Sequence, residues 1–211
     1  MKYLPLVWAG IWRKRGRTIL IFLQVAVAFT LFGVLQGLKT GVDHAIDAAR
    51  ADLLIVHARL SFGVPLPVGM LETIRSVPGV AEAIPVELAG ATYQSPNQQM
   101  VLVAIRPDND WLSAFTYTIS PAYVKAFRAL RTGALVNAGL VKKYGWRIGD
   151  QIPLMTGVAQ RDGSSVWTFD MVGTFKDSDI GAQDTNVLIN YDYWNEARAS
   201  DKDMVNHFNV R

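Results

Sequence analysis

The chain has 211 residues, half of them hydrophobic and 18% charged, with no cysteine. This excludes a disordered chain, a collagen-like repeat and a disulfide scaffold, and with the thiols go Cys-ligated zinc, iron–sulfur clusters and a thiol nucleophile. Five bases and no acid fall in residues 1–17, leaving 16 bases against 18 acids beyond them, so the positive excess belongs to one terminus and no basic face for nucleic acid is supplied.

In residues 1–17, Leu4, Val7, Trp8, Ile11 and Trp12 share one helical face, followed by Arg13, Lys14, Arg15 and Arg17. Tryptophan and basic residues in that order predict an interfacial helix on a membrane leaflet, in contact with lipid headgroups. Next comes Thr18–Leu38, a stretch without a charge that would span ~31 Å as a helix, close to the hydrocarbon core of a bilayer. A cleaved signal peptide has a shorter apolar region and a small-x-small site, and Lys39 to Asp43 offer none. A single retained transmembrane helix over 18–38 is therefore predicted. The basic flank places the N-terminus in the cytoplasm and the rest outside.

Gly33 and Gly37 form a GxxxG pair continued by Gly41, a face on which another helix can approach closely, while Gln24 and Gln36 favour interhelical partners over lipid. A simple anchor tolerating these residues would look the same. Leu38, Val42, Ala45, Ile46 and Ala49 keep the helical period, so a helical stalk over 39–52, running to about Ala51, is predicted beyond the membrane.

Residues 53–211 read as an extracytoplasmic mixed α/β domain of two subdomains, α+β in class. Leu53–His57 predicts a strand, Gly63–Pro67 a loop, and Gly69–Val77 a helix stopped by Pro78-Gly79. Val80–Tyr93 and Gln99–Ile105 predict a hairpin turning at Gln94–Gln98, where Ser95-Pro96-Asn97 is turn-like, with Pro85 marking an edge or bulge. Ser120 followed by Pro121 predicts a capped helix to about Arg131, and Asn137 a second helix ending at Tyr144-Gly145. Gln151–Met155 is expected to pair with the strand after the Asp162-Gly163 loop, on which Trp167, Phe169, Met171 and Phe175 share one face. Asn186–Asn190 predicts a strand, Tyr191–Ala199 a helix and Val205–Arg211 a last strand. The chain stops inside that strand, which reads as a C-terminally incomplete domain.

No enzymatic chemistry is legible. GxxxxGK[ST], HExxH and GxSxG are all missing from the sequence, and His44, His57 and His207 stand apart. Asp177, Asp179 and Asp184 lack the central Gly and closing Glu of an EF-hand loop and read as a solvated loop. Trp111, Trp167 and Trp194 could line a pocket but read as core. No catalytic residue, metal or cofactor is predicted.

Several segments resemble the FtsX-like ABC transporter permeases with a MacB-like periplasmic core domain. Trp12-Arg13-Lys14-Arg15-Gly16-Arg17-Thr18-Ile19-Leu20 resembles that family's basic entry to its first membrane helix, and Val77-Pro78-Gly79-Val80 the turn before a long outer strand. Ala134-Leu135-Val136, Leu140, Gly145 and Ile148-Gly149-Asp150-Gln151-Ile152-Pro153-Leu154 resemble its "LV…L…G…GD.I.L" passage. Phe169 to Phe175, with Val172-Gly173, resemble the "F.VVG.F" strand that follows. The resemblance implies a type VII ABC permease of the inner membrane that dimerises and pairs with a separate or fused ABC ATPase. Such a permease moves its periplasmic domains by mechanotransmission, on cargo such as lipoproteins, antibiotics, peptides or glycolipids, often with a periplasmic adaptor protein. The three later membrane helices of that family are missing here, which reads as the N-terminal part of such a permease. The competing reading is a single-pass anchor carrying an extracytoplasmic binding, sensor or assembly domain without an ATPase.

Overall fold

Residues 15–48 contain no proline, and in the computed structural model they form one unbroken helix, α1 (Arg15–Ala48). The structure describes residues 15–48, 52–61, 63–108, 110–178 and 184–211. The segment Gly16–Gly41 of α1 is long and apolar enough to cross a membrane, and its large apolar side chains, Phe22, Phe29 and Leu35 among them, are exposed as lipid contact requires. The predicted span and the start of the stalk are thus one helix. The interfacial helix, with Trp8, Trp12, Arg13 and Lys14, and the stalk's last residues 49–51 lie outside the described residues.

The helix and residues 50–211 are separate units. The second unit holds β1 (Leu54–His57), β2 (Leu66–Pro67), α2 (Met70–Arg75), β3 (Ala83–Tyr93), β4 (Ser95–Ile105) and a 3₁₀ turn (Trp111–Ala114). There follow β5 (Tyr117–Ile119), α3 (Pro121–Ala129), β6 (Gly133–Asn137), α4 (Ala138–Tyr144), β7 (Gln151–Thr156) and β8 (Val166–Asp177). The last elements are β9 (Asn186–Asn190), α5 (Tyr191–Ala197), β10 (Met204–Val205) and β11 (His207–Val210).

Among the described residues, nine strands form one mixed sheet in the order β1-β11-β3-β4-β9-β6-β8-β5, with β7 bridging β3 and β8. The pairings β3–β4, β4–β9, β9–β6, β6–β8, β8–β7 and β7–β3 return to their start, so six strands close into a small barrel. Strand alternation then sorts the apolar residues into two cores. Leu102, Ala104, Val136, Leu154, Trp167, Phe169 and Ile189 fill one with α4 and α5 residues, and Val103, Ile105, Leu135 and Leu188 meet Trp111, Phe115 and Phe127 in the other. Two subdomains are expected from the sequence within residues 53–211; residues 50–211 instead form one compact unit with two cores on opposite faces of one sheet.

Asn137 caps α4, its Oδ1 accepting from the Gly139 amide at 2.8 Å, and Gly145 ends the helix at φ 70°. The predicted β7–β8 pair is present with Leu154 opposite Trp167. Several boundaries are corrected: β3 begins at Ala83, α2, α3 and α5 are shorter than predicted, and Gly63–Pro67 contains β2, which pairs with β10. The hairpin turn shrinks to Gln94 at φ 57°, with Tyr93 opposite Ser95 and Thr92 opposite Gln99. Residues 96–98 bulge out instead, where a proline lacking an N–H costs no ladder bond. Pro85 pairs with Phe208 of β11 and lies just beyond the end of the β3–β4 ladder, so on the β4 side it stands at a local edge. Ser120 stands at the start of α3 without a side-chain cap bond, and Pro121 supplies the helical φ.

Phe175 is also corrected. Between Ala134 and Leu135 the β8 register jumps from Met171 to Gly173, leaving Val172 as an extra residue. The bulge flips the strand, so Phe175 joins the core of Phe127 while Trp167, Phe169 and Met171 stay in the other.

Candidate functional site

Gly33, Gly37 and Gly41 recur every four residues on α1, and a Cβ added at any of them would meet nothing within 4 Å. The result is a strip where backbone is open to a neighbouring helix, the geometry that close helix packing in lipid uses. Gln24 and Gln36 are exposed on the same helix, and Arg17 is exposed near its start, with Arg15 as its first residue. A hydroxyl bond folds back within the helix, Thr30 Oγ1 donating to the Ala26 carbonyl at 2.8 Å.

In the outer unit, Trp111, Trp167 and Trp194 are fully buried in the two cores. Trp167 stacks near Trp194, with ring centres 4.2 Å apart, and its Nε1 donates to the Val158 carbonyl. The histidines are less isolated than their sequence positions imply. His57 and His207 stand opposite each other on β1 and β11, and burial pulls His207 down to about 4. Among the described residues no group of three or more His, Asp and Glu assembles as a metal site.

A groove of about 580 Å³ opens where β7 meets the β3–β4 hairpin. Gly90, Thr92, Gln99, Val101 and Met155 lie on one face of these strands and line it, with Gly157 and Thr185 beside them.

The feature that sequence reasoning missed is a buried charge pair. Arg198, 1% exposed, donates from Nη1 to Glu87 Oε1 at 3.1 Å, bridging the end of α5 and β3. Its Nε and Nη2 donate to Asn195 Oδ1, and Nη2 also reaches the Met204 carbonyl. Tyr191 lies beneath, its ring centre 5.9 Å from the guanidinium, and its hydroxyl donates to the Met204 carbonyl. Burial pushes Glu87 up to about 7, against the opposing pull of Arg198. Nothing local in the sequence marks Arg198, which reads as an ordinary cation at a helix end; its partner is 111 residues away.

A model of the MacB-like periplasmic core domain family matches residues 18–211. The periplasmic region of MacB from Actinobacillus actinomycetemcomitans superposes with a TM-score of 0.51 at 9% identity, over 75% of this chain and 73% of that one. The extracellular domain of the noncanonic ABC-type transporter YknZ from Gram-positive bacteria gives a TM-score of 0.48 at 10% identity, over 75% and 81%. No curated protein matches the chain.

Proposed function

We propose, from the premise that this chain belongs to the family of MacB-like periplasmic core domains, that it works as the N-terminal part of a permease driven by a partner ATPase. The family is the permease component of ABC transporters and is not itself catalytic. An apolar helix of spanning length followed by a domain of this family is a membrane-anchored extracytoplasmic domain. On our reading that membrane is the inner membrane, with the basic N-terminus inside, as the positive-inside bias supports.

A partner ABC ATPase hydrolyses ATP in the cytoplasm and the permease transmits the motion to the outer unit, which acts on a lipoprotein, antibiotic, peptide or lipid-like cargo. The observation that carries this reading is the family match running continuously from the membrane helix through the outer unit. The unbroken 34-residue α1, about 51 Å long at 1.5 Å per residue, is long enough to carry displacement beyond a bilayer. Two copies are expected to pair through the Gly33, Gly37 and Gly41 strip or to use it against another permease helix, and a periplasmic adaptor is the expected outer partner.

The test is capture of the tagged native protein from its own membranes after mild crosslinking. Recovery with a subunit carrying GxxxxGK[ST] and hydrolysing ATP supports the reading. Recovery as a single-pass protein with no nucleotide-binding subunit would favour an anchored binding or sensor domain instead.

A further inference from the structure

Residues 198–206 connect α5 to β11 and are fastened over β3 by an uneven charge pair. The Arg198 guanidinium spreads its bonds over three residues: Asn195 Oδ1 accepts from Nε and Nη2 at 3.1 and 2.8 Å, the Met204 carbonyl accepts from Nη2 at 3.0 Å, and Glu87 Oε1 accepts from Nη1 at 3.1 Å. Glu87 is not equally served. Its Oε1 takes the Arg198 bond, while Oε2 is buried without a hydrogen-bond partner. An ionised carboxylate in water keeps both oxygens solvated, so the closed segment holds the charged form at a disadvantage.

The segment also carries backbone strain. Asp201 and Asp203 adopt φ of 53° and 58° without being glycine. Bonds and one core side chain hold it down: the Asp203 amide donates to Asn195 Oδ1 and the Asn195 side-chain amide to Asp203 Oδ1, the Val68 amide donates to the Asp203 carbonyl, the Asn206 amide to the Val86 carbonyl and the Leu88 amide to Asn206 Oδ1, while Val205 is buried in the core. β10, within this segment, pairs with β2, which is therefore taken with it.

We propose that residues 198–206, with β2, form a clasp that closes on β3 with proton uptake by Glu87, so that external acidity tightens it and mild alkalinity loosens it. The sign follows from linkage. Opened, Glu87 is hydrated with its ordinary value of 4.5; closed, burial raises it to about 7. The closed form therefore binds more protons between those values, and closure weakens as pH rises through about 7.

The groups facing Glu87 set the same direction. Arg198 lowers it and Asp201 raises it, and the Asn206 backbone amide favours the charged form weakly; burial outweighs them. From α5, Tyr191 stays protonated, its hydroxyl pushed up to about 12 mainly by burial. Arg106 reaches the Tyr191 ring but is paired with Asp192. On β11, His207 is neutral above about 4 and so contributes no titrating charge in this window.

The experiment is hydrogen exchange by mass spectrometry on the full chain in lipid nanodiscs, corrected for the intrinsic pH dependence of exchange. Peptides covering Val68 and 203–206 should lose protection on the order of tenfold between about pH 6 and about pH 8.5, while β4 and β9 peptides keep theirs. Glu87→Gln, a permanent mimic of the protonated carboxyl, should make clasp protection independent of pH. Glu87→Met should do the same, so that one variant that fails to fold does not remove the test. Flat protection in the parent, or pH dependence retained in either folded variant, overturns the proposal.

Discussion

Gly173 sits in β8 opposite Leu135, beneath α3. A Cβ there would overlap Cβ, Cγ and Cδ1 of Tyr123. Tyr123 Cβ is fixed to the α3 backbone and no side-chain rotation moves it, so Gly173→Ala must lift the helix from the sheet. That displacement pulls on Phe127, which is fully buried against Trp111 and Phe175 in the same core. Overpacking of a tight core costs about 1–3 kcal/mol, and a clash with a backbone-fixed atom belongs at the upper end. For a unit of this size, about 3 kcal/mol lowers Tm by roughly 6–12 °C.

Gly90, in the interior of β3, provides the matched control. A Cβ there meets nothing within 4 Å and its φ lies outside the left-handed region, so Gly90→Ala should be neutral or stabilising by up to about 1 kcal/mol. Urea denaturation of the full chain in nanodiscs, followed by tryptophan fluorescence, compares the two with the parent. A Gly173→Ala protein within about 0.5 kcal/mol of the parent, or a Gly90→Ala protein as damaged as Gly173→Ala, refutes the packing argument.

Glu87 and His207 should oppose each other in the pH profile of stability. The lowered His207 favours the fold above 6.5 and loses that contribution as pH falls to about 4, a change of order 3 kcal/mol; the raised Glu87 loses its contribution as pH rises from 4.5 to about 7. The parent should therefore be nearly flat between these limits, His207→Gln should decline with rising pH and Glu87→Gln with falling pH; equal, flat profiles in all three would remove both assignments. The protein should resist alkaline carbonate extraction, and protease added outside should cut within residues 53–211 while sparing the N-terminus; a soluble, processed product would contradict the topology. Gly33→Ile with Gly37→Ile should abolish disulfide crosslinking between single cysteines placed near Leu38, and crosslinking unaffected by the change would reduce α1 to an anchor. Purified alone, the chain should turn over no ATP, and hydrolysis above a mock preparation would count against its being a non-catalytic subunit.

What was legible in the sequence was local. Asn137 and Gly145 bracket α4 because an amide side chain and a left-handed glycine each solve a problem one turn away. The β7–β8 pair could be read because the two strands are consecutive and the turn chemistry between them is visible: Gly163 has φ 84° and the Ser164 amide donates to Asp162 Oδ1. The glycines of α1 were read by spacing, and the structure leaves that strip open without supplying its partner.

The illegible parts depend on residues distant in sequence. Alternation predicts the face of Phe175 only while the register holds, and the Val172 bulge breaks it. Gly173 was visible as part of a pattern, but its physical reason, Tyr123 on α3, is a tertiary contact. Glu87 and Arg198 carry no local signal, and their pairing exists only where β3 and the end of α5 come together.

The central claim is that nucleotide hydrolysed on one side of the membrane moves the domain on the other. The cysteine-free chain makes a direct measurement possible: the captured native complex is reconstituted in proteoliposomes with a single spin-labelled cysteine at exposed Ile148, and distances between the labels of two copies are recorded with and without ATP. The account predicts two copies per complex and a label distance that shifts when ATP is hydrolysed and returns when it is exhausted. A distance indifferent to nucleotide in a complex that hydrolyses ATP, or a reconstituted protein with no second copy and no ATPase, would contradict it.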